Sequence, residues 1–225
     1  MLELPILLSR PMVRAILDGR KTQTRCIAIP KRSCIDFIGG GPKDGPDWND
    51  PACWGFEDTN TGVWWALRGD EQCRQLPCPH GSPGNRLWVR ETWRPADGMN
   101  EPGKPAAYAA DWPDAAVKWR PSIHMPRWAS RITLEITGVR AERLQDISEV
   151  DAIDEGARTL DERWLRQQFP AYFAARDATP PGAKPPLGPS PRMRFAKLWD
   201  GFNAARGHGW DANPRVWVVE FTKMG

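Results

Sequence analysis

The chain has 225 residues and a formal net charge of +3, a size that predicts one domain with long insertions rather than two full domains. Its 23 prolines, 20 glycines and 13 tryptophans indicate a loop-rich fold, and an apolar content of 40% argues against a disordered chain. No apolar run approaches the roughly 20 residues of a membrane-spanning helix. A cytoplasmic protein without a membrane partner is therefore expected.

The first 32 residues predict a strand, a helix and a second strand, and they carry a local excess of positive charge. The segment "LPILL" is typical of a short strand, and Ser9, Pro11 and Gly19 delimit a helix over residues 10–18. A further strand is predicted in "TRCIAI", which places "RKTQT" at a helix-to-strand connection. Seven cations and one acid lie between residues 10 and 32, which indicates either affinity for a phosphate backbone or an ordinary solvated face.

The central part of the chain alternates between loop-rich segments and two predicted strands. Residues 31–83 and 94–128 are interpreted as insertions, with a hairpin expected around "TGVWWALRG". Between them, "NRLWVRETW" predicts a strand. The segment "RITLEITGV" predicts a longer strand, in which Ile132 and Leu134 alternate with polar residues. Glu135 therefore lies on the polar face of that strand.

The C-terminal part predicts two helices and a closing strand. Ser148 and Asp151 form an acidic variant of a capping box ahead of a short helix that ends at Gly156. Residues 158–192 are interpreted as a third insertion, whose proline-rich end predicts an extended loop. A last helix over residues 194–204 carries one apolar stripe, formed by Phe195, Leu198, Trp199 and Phe202. Finally, "RVWVVEF" predicts a buried strand.

This order of elements predicts an α+β fold in a single domain that covers residues 1–225. The expected architecture is a small β-barrel or a strongly curved, mostly antiparallel sheet with helices at its rim. The long insertions, at about 31–83, 94–128 and 158–192, are expected to decorate this core.

Four segments together resemble an ASCH domain of the PUA-like superfamily: "ILDGRKTQTR", "PGNRLWVRE", "RITLEITGV" and "LQDISEVDAIDEG". The fuller sequence is similar to an uncharacterised ASCH-like group of phages and prophages. The resemblance implies a small PUA-like barrel whose cleft is lined by a Lys, a Thr and a Glu, here Lys21, Thr24 and Glu135. Compact bacterial members are amidohydrolases that remove the acetyl group of N4-acetylcytidine, and other members are RNA-binding proteins or ribonucleases. The resemblance thus implies a modified nucleoside or RNA as substrate.

The residue types of this motif suit such a hydrolysis. A threonine hydroxyl is a weak nucleophile until a base takes its proton, and a lysine becomes that base when burial or a neighbouring cation lowers its pKa from about 10.4. Arg20 and Arg25 supply neighbouring cations to Lys21, and Arg25 is also a candidate for binding phosphate or an oxyanion. A carboxylate such as Glu135 would relay the proton or accept a hydrogen bond from a cytosine-like amine.

Several alternatives stay open at this stage. Glu91, which follows a strand, competes with Glu135 as the carboxylate and is counted with Arg20 and Arg25 among the substrate-binding candidates. Lys21 and Thr24 are also compatible with an ordinary solvated loop. The protein is then a non-catalytic RNA- or DNA-binding module, or a phage protein that acts on a host partner. The oligomeric state is left open.

A zinc site is a further alternative at "CRQLPCPH". Cys73, Cys78 and His80, with Cys53 as a fourth ligand, are the candidate ligands, but their spacing is not that of paired C-x2-C motifs. Five cysteines in a chain without an export signal predict free thiols. Neither a metal nor a cofactor is therefore expected.

Overall fold

The structure is a computed structural model that describes most of the chain. Residues 1–28, 76–96, 105–112, 115–157 and 160–225 are described in full, with the strand backbone at 35–39, 55–58, 64–66 and 74–75. The described strands are β1 (Glu3–Leu7), β2 (Gln23–Ile27), β3 (Ile35–Gly39), β4 (Gly55–Asp58), β5 (Trp64–Ala66), β6 (Arg74–Gln75), β7 (Arg86–Arg90), β8 (Trp93–Pro95), β9 (Ala106–Tyr108), β10 (Thr133–Arg143) and β11 (Arg215–Lys223). The helices are α1 (Arg10–Leu17), α2 (Glu149–Asp154), α3 (Glu162–Gln168), α4 (Pro170–Asp177) and α5 (Pro191–Asn203).

The main sheet has five strands in the order β1, β7, β10, β11, β2. β1 runs parallel to β7, and the other neighbours are antiparallel. The predicted α+β class and mostly antiparallel sheet are confirmed. The closed barrel is not: β1 and β2 are the two edges of the sheet, so its described strands do not form a closed barrel.

Helix α1 packs on one face of this sheet. Val13 and Ile16 belong to a buried cluster that also contains Leu134 of β10 and Val219 of β11. The helix starts where the sequence predicts, with Ser9 as N-cap and a proline in the first turn. It is followed by Gly19 with φ +70°, a left-handed conformation that glycine adopts without strain. That turn leads the chain directly into β2.

Helix α5 packs on the opposite face. Phe195 and Trp199 cluster with Val216 and Val218 of β11, whose side chains alternate with that of Val219 along the strand. The predicted stripe is correct in its first three members only, because Phe202 is 45% exposed. The two helices therefore share β11 but occupy different faces of it.

The capping box of α2 is confirmed. Ser148 Oγ accepts a hydrogen bond from the Asp151 amide at 3.0 Å, and Asp151 Oδ2 accepts one from the Ser148 amide at 3.3 Å. The helix is terminated at Gly156, which has φ +88°. A Cβ at this position would lie 3.1 Å from Cβ of Ala15 and 3.6 Å from Cβ of Lys21. The end of α2 is therefore packed directly against the turn between α1 and β2.

The insertions contain more regular structure than the sequence predicts. The third one holds α3 and α4, which the sequence does not predict, ahead of the extended loop that its proline-rich end does predict. The first holds a four-stranded sheet in the order β3, β4, β5, β6, and the antiparallel β4–β5 pair overlaps the expected hairpin. The second holds the β8–β9 pair. Among the described residues, no helix is both long and apolar enough to span a membrane.

Candidate functional site

Lys21 is buried at the point where the α1–β2 turn meets the end of α2. Its Nζ donates to Glu155 Oε2 at 2.5 Å, to the Gln23 carbonyl at 2.7 Å and to the Glu155 carbonyl at 3.1 Å. Lys21 is 2% exposed and Glu155 is 3% exposed. An ammonium group has three protons, and the three acceptors account for all of them. In this geometry Lys21 is a paired, fully hydrogen-bonded cation.

Glu155 is held by a second cation on its other oxygen. Arg25 Nη1 donates to Glu155 Oε1 at 3.1 Å, while Arg25 Nε and Nη2 donate to Glu142 Oε1 at 2.8 and 2.5 Å. The Arg25 side chain is fully buried. Buried charges are tolerated when they are paired and hydrogen-bonded, and each of these groups meets that condition.

Asp151 and Arg140 extend this network toward solvent. Gln23 Nε2 donates to Asp151 Oδ1 at 2.9 Å, and Arg140 Nη2 donates to the same oxygen at 3.0 Å. Arg140 also pairs with Glu220. Burial works to raise the pKa of Asp151, but hydrogen bonds from Gln23 and Ser148, together with the charge of Arg25, outweigh it and lower the pKa to about 2.

A cavity of about 620 Å³ lies beside this network, bordered by residues of both β1 and β2. Since β1 and β2 are opposite edges of one sheet, the sheet curls until both edges border the same space. The polar side chains of its wall are Ser9, Thr24, Arg25, Cys26, His80, Arg90, Thr92, Ser122, Glu155, Asn203 and Arg206. The apolar part of the wall includes Ile6, Leu8, Phe195, Leu198 and Trp199.

Thr24 and Glu155 therefore line the same cavity, whereas Lys21 does not. Lys21 lines a second cavity of about 600 Å³, together with Asp151 and Glu220. Thr24, which is 5% exposed, lies opposite Val219 in the sheet, so its side chain is on the α1 face. Glu155 is the residue that joins the two spaces, because it borders the first cavity and binds Lys21.

Two further titratable groups in the first cavity are held in uncharged forms. Burial, reinforced by the negative charge of Glu155, raises the pKa of the Cys26 thiol to about 12. Cys26 is therefore not a thiolate at neutral pH. Burial lowers the pKa of His80, which favours the neutral imidazole.

The structure does not bring the other predicted site residues to this cavity. Glu135 of β10 lies opposite Thr222 and Arg86 and lines neither cavity. Arg20 pairs with Asp18 at 2.6 Å near the surface. The roles predicted for Glu135 and Arg20 stay predictions.

Glu91 is held at a different place. It is buried and receives two hydrogen bonds from Arg131, at 2.9 and 3.1 Å, and Arg131 also binds Asp111. Burial raises the pKa of Glu91, and the hydrogen bonds and charge of Arg131 oppose this shift. Arg131, which lies just before β10, thus joins Glu91 to Asp111 of the second insertion. Glu91 does not line the cavity that contains Thr24.

Sequence reasoning missed Glu155, although one local signal pointed to it. Glu155 is the C-cap of α2, where the negative end of the helix dipole disfavours an acidic side chain. An acid at that position indicates a cation from elsewhere in the fold, here Lys21. The adjacent Gly156 indicates that another element approaches closely.

The proposed zinc ligands are only partly within the described residues. Cys53 and Cys73 lie outside them, and Cys78 is a free thiol. In the part of the chain that the structure describes, no group of three or more His, Cys, Asp or Glu side chains is placed to hold a metal ion.

The arrangement combines a buried hydroxyl, a carboxylate held by two cations, and an aromatic wall in one cavity. These are the elements of a site that binds a planar polar ligand and transfers a proton beside it. The chain matches no protein-family model, no curated protein and no solved structure.

Proposed function

We propose that the protein is an ASCH-like amidohydrolase that removes the acyl group from an N4-acylated cytidine. Thr24 is the nucleophile, and the hydrogen-bonded Lys21–Glu155 pair accepts the proton of its hydroxyl and passes it to the leaving amine. The observation that supports this proposal is that Thr24 and Glu155 line one cavity while Glu155 binds Lys21 at 2.5 Å. The choice of an acylcytidine rests on the resemblance of "GRKTQTR" and its companion segments to the ASCH family.

The cavity suits a nucleobase in size and in composition. Its volume of about 620 Å³ lies within the roughly 300–1,000 Å³ of small-molecule sites. Phe195 and Trp199 provide an aromatic wall, and the Trp199 ring is fixed because its Nε1 donates to the His208 carbonyl at 2.7 Å. A planar base packs favourably against such rings.

The geometry favours Glu155 over Lys21 as the group that accepts the proton. Lys21 donates all three of its protons, so its nitrogen offers no lone pair to Thr24. Glu155 reaches the cavity and its carboxylate can accept a proton. In the proposal Lys21 therefore holds Glu155 in place and stabilises charge, which revises its sequence-based role as the base.

The reaction then proceeds through an acyl-enzyme. Thr24 Oγ1 attacks the acyl carbonyl carbon, and its proton passes to Glu155. The tetrahedral intermediate collapses with cleavage of the C–N4 bond, and the proton moves from Glu155 to the departing amine of cytidine. Water then attacks the threonine ester, which releases the carboxylic acid and restores the hydroxyl.

Hydrolysis of N4-acetylcytidine by the purified protein, followed by chromatography of cytidine, tests this proposal. Thr24→Val removes only the hydroxyl and is expected to abolish turnover. Thr22→Val is the matched control. It is the same substitution two positions away, at an exposed residue that does not line the Thr24 cavity. Turnover that survives in Thr24→Val contradicts the assignment.

A non-catalytic nucleic-acid-binding module is the second candidate. It is favoured by the hydrogen bonding of Lys21, which donates all three of its protons and is therefore not an activated base. The charge of the N-terminal stretch argues against it. Lys21 and Arg25 are buried in ion pairs, and Lys31 and Arg32 lie outside the described residues. Of the described cations in that stretch, Lys21 and Arg25 are therefore not placed to contact phosphates. RNA binding measured at two salt concentrations decides, since phosphate contacts make affinity fall steeply with salt.

A further inference from the structure

The wall of the Thr24 cavity contains polar atoms that lack partners. Ser9 Oγ, His80 Nδ1 and Arg90 Nε are each buried and make no hydrogen bond within the described part of the chain. All three residues line the cavity. Buried polar atoms in folded proteins almost always have a partner, so three orphans around one space indicate a polar ligand.

The charge of the lining residues indicates that this ligand is an anion. The wall contains three arginines and one glutamate, and Arg25 and Glu155 pair with each other. Arg90 and Arg206 then leave the cavity with an excess of positive charge. His80 does not change this balance, because its burial favours the neutral imidazole.

Arg90 is already held in a fixed position. Its Nη2 donates to the Ile123 carbonyl, and its guanidinium lies 5.4 Å from the centre of the Trp88 ring. The Nε has no partner. Ser9 is the N-cap of α1, yet its hydroxyl makes no capping hydrogen bond and is free to contact a ligand. A guanidinium and a hydroxyl around one space match the acceptor oxygens of a phosphate group.

We propose that Ser9, His80, Arg90 and Arg206 form a phosphate subsite in the wall of this cavity and that the ligand is a cytidine nucleotide rather than a bare nucleoside. The inference rests on the proposed function, because it assumes that the cytosine base binds beside Thr24 in the same cavity. The phosphate is a monoester, carried by a free mononucleotide or by the 5′ end of a short RNA.

Calorimetric binding of cytidine and of cytidine 5′-monophosphate to the full chain tests the subsite without any turnover. The phosphate is expected to tighten binding at least tenfold. Arg90→Met is expected to remove that preference, measured as the ratio of the affinities for the two ligands. Arg86→Met, the same substitution on the same strand at a residue that does not line the cavity, is expected to keep the preference.

The possible outcomes separate this inference from the proposed function. Equal binding of the two ligands to the wild-type chain, or a preference that survives in Arg90→Met, overturns the subsite alone. Absence of binding by any cytidine compound overturns the proposed function as well. Arg206→Met, at an exposed position, supplies a second variant that leaves the core intact and is expected to weaken the preference. A 5′-phosphorylated cytidine dinucleotide as third ligand distinguishes an RNA end, if it binds more tightly, from a free mononucleotide.

Discussion

Lys21 Nζ lies 2.5 Å from Glu155 Oε2, although the two residues are 134 positions apart in the sequence. The contact joins the turn after α1 to the C-cap of α2, and Arg25 binds the other oxygen of the same carboxylate. Because both side chains are buried, the removal of Glu155 leaves the Lys21 ammonium without its counter-ion, and the removal of Lys21 leaves Glu155 with Arg25 alone. The pair therefore fixes the local fold as well as the position of the carboxylate beside Thr24.

Loss of the Lys21 ammonium is expected to destabilise the protein strongly. Lys21→Met should lower the free energy of unfolding by about 3–5 kcal/mol, because Glu155 stays buried with Arg25 alone. Urea denaturation measures this, with Arg20→Met as the control. Arg20 belongs to a partly exposed pair with Asp18, so its loss should change stability by less than about 1 kcal/mol.

The double variant Lys21→Met/Glu155→Gln should be more stable than the sum of the two single effects predicts. Strict additivity of the two effects would show that the pair is not coupled.

The hydroxyl of Thr24 is expected to be essential for hydrolysis and dispensable for folding. Thr24→Val should lower kcat/KM for N4-acetylcytidine by at least about a hundredfold, because the nucleophile is lost. The melting temperature should change little, since valine fills the same volume. Cys26→Ala, in the same cavity, should keep most of the activity because its raised pKa leaves no thiolate at neutral pH. Loss of activity in Cys26→Ala, with activity retained in Thr24→Val, would assign the nucleophile to Cys26 instead.

The two candidate bases predict different pH profiles. A free lysine amine is mostly protonated below about pH 10, so catalysis by a neutral lysine should rise continuously toward alkaline pH. Catalysis by a carboxylate should instead reach a plateau near neutral pH. We expect the plateau. Glu155→Gln should abolish activity, whereas Glu135→Gln, an equal change on a residue outside both cavities, should keep it.

Asp151 is expected to make stability depend on pH in acid. Its pKa is about 2 in the folded protein, against about 3.9 in an unfolded chain. The ionised carboxylate therefore contributes stability that is fully present above about pH 4 and is lost as the pH falls toward 2. Asp151→Asn should be less stable than the wild type by about 1–2 kcal/mol near pH 7, through loss of charge and weaker capping. The difference should narrow between about pH 4 and pH 2 in thermal melts, and a constant difference over that range would contradict the role of the ionised form.

Local sequence rules predicted the elements that local forces determine. The capping box of α2, the glycine stops after α1 and α2, and the apolar alternation of β10 follow from interactions within a few residues, and the structure contains all of them. Helices α3 and α4 are not predicted, because both are short and the insertion that contains them ends in a proline-rich loop. They are held together by a cluster in which Arg166 and Arg176 contact the ring of Phe173.

The candidate site was predicted only in part, for a physical reason. Lys21, Thr24 and Arg25 lie in one short segment, so a single motif indicated all three. Their acidic partners come from β10 and from the end of α2, and strand register and the close packing at Gly156 bring them there. Sequence spacing carries little information about such long-range contacts. The family resemblance implies Glu135 as the carboxylate, with Glu91 as its competitor, whereas the carboxylate that borders the Thr24 cavity is that of Glu155.

The edge position of β2 also determines when the site can form during synthesis. The sheet neighbour of β2 is β11, which spans Arg215–Lys223, so the segment that carries Thr24 and Arg25 leaves the ribosome long before the strand that it must pair with. At about 5–20 residues per second the delay is roughly 10–40 s. Throughout that interval the cations of the motif stay hydrated and the cavity lacks one of its two bordering edges. A nascent chain therefore has neither the hydroxyl in position nor the carboxylate beside it, and any activity of this site begins only after translation has passed β11.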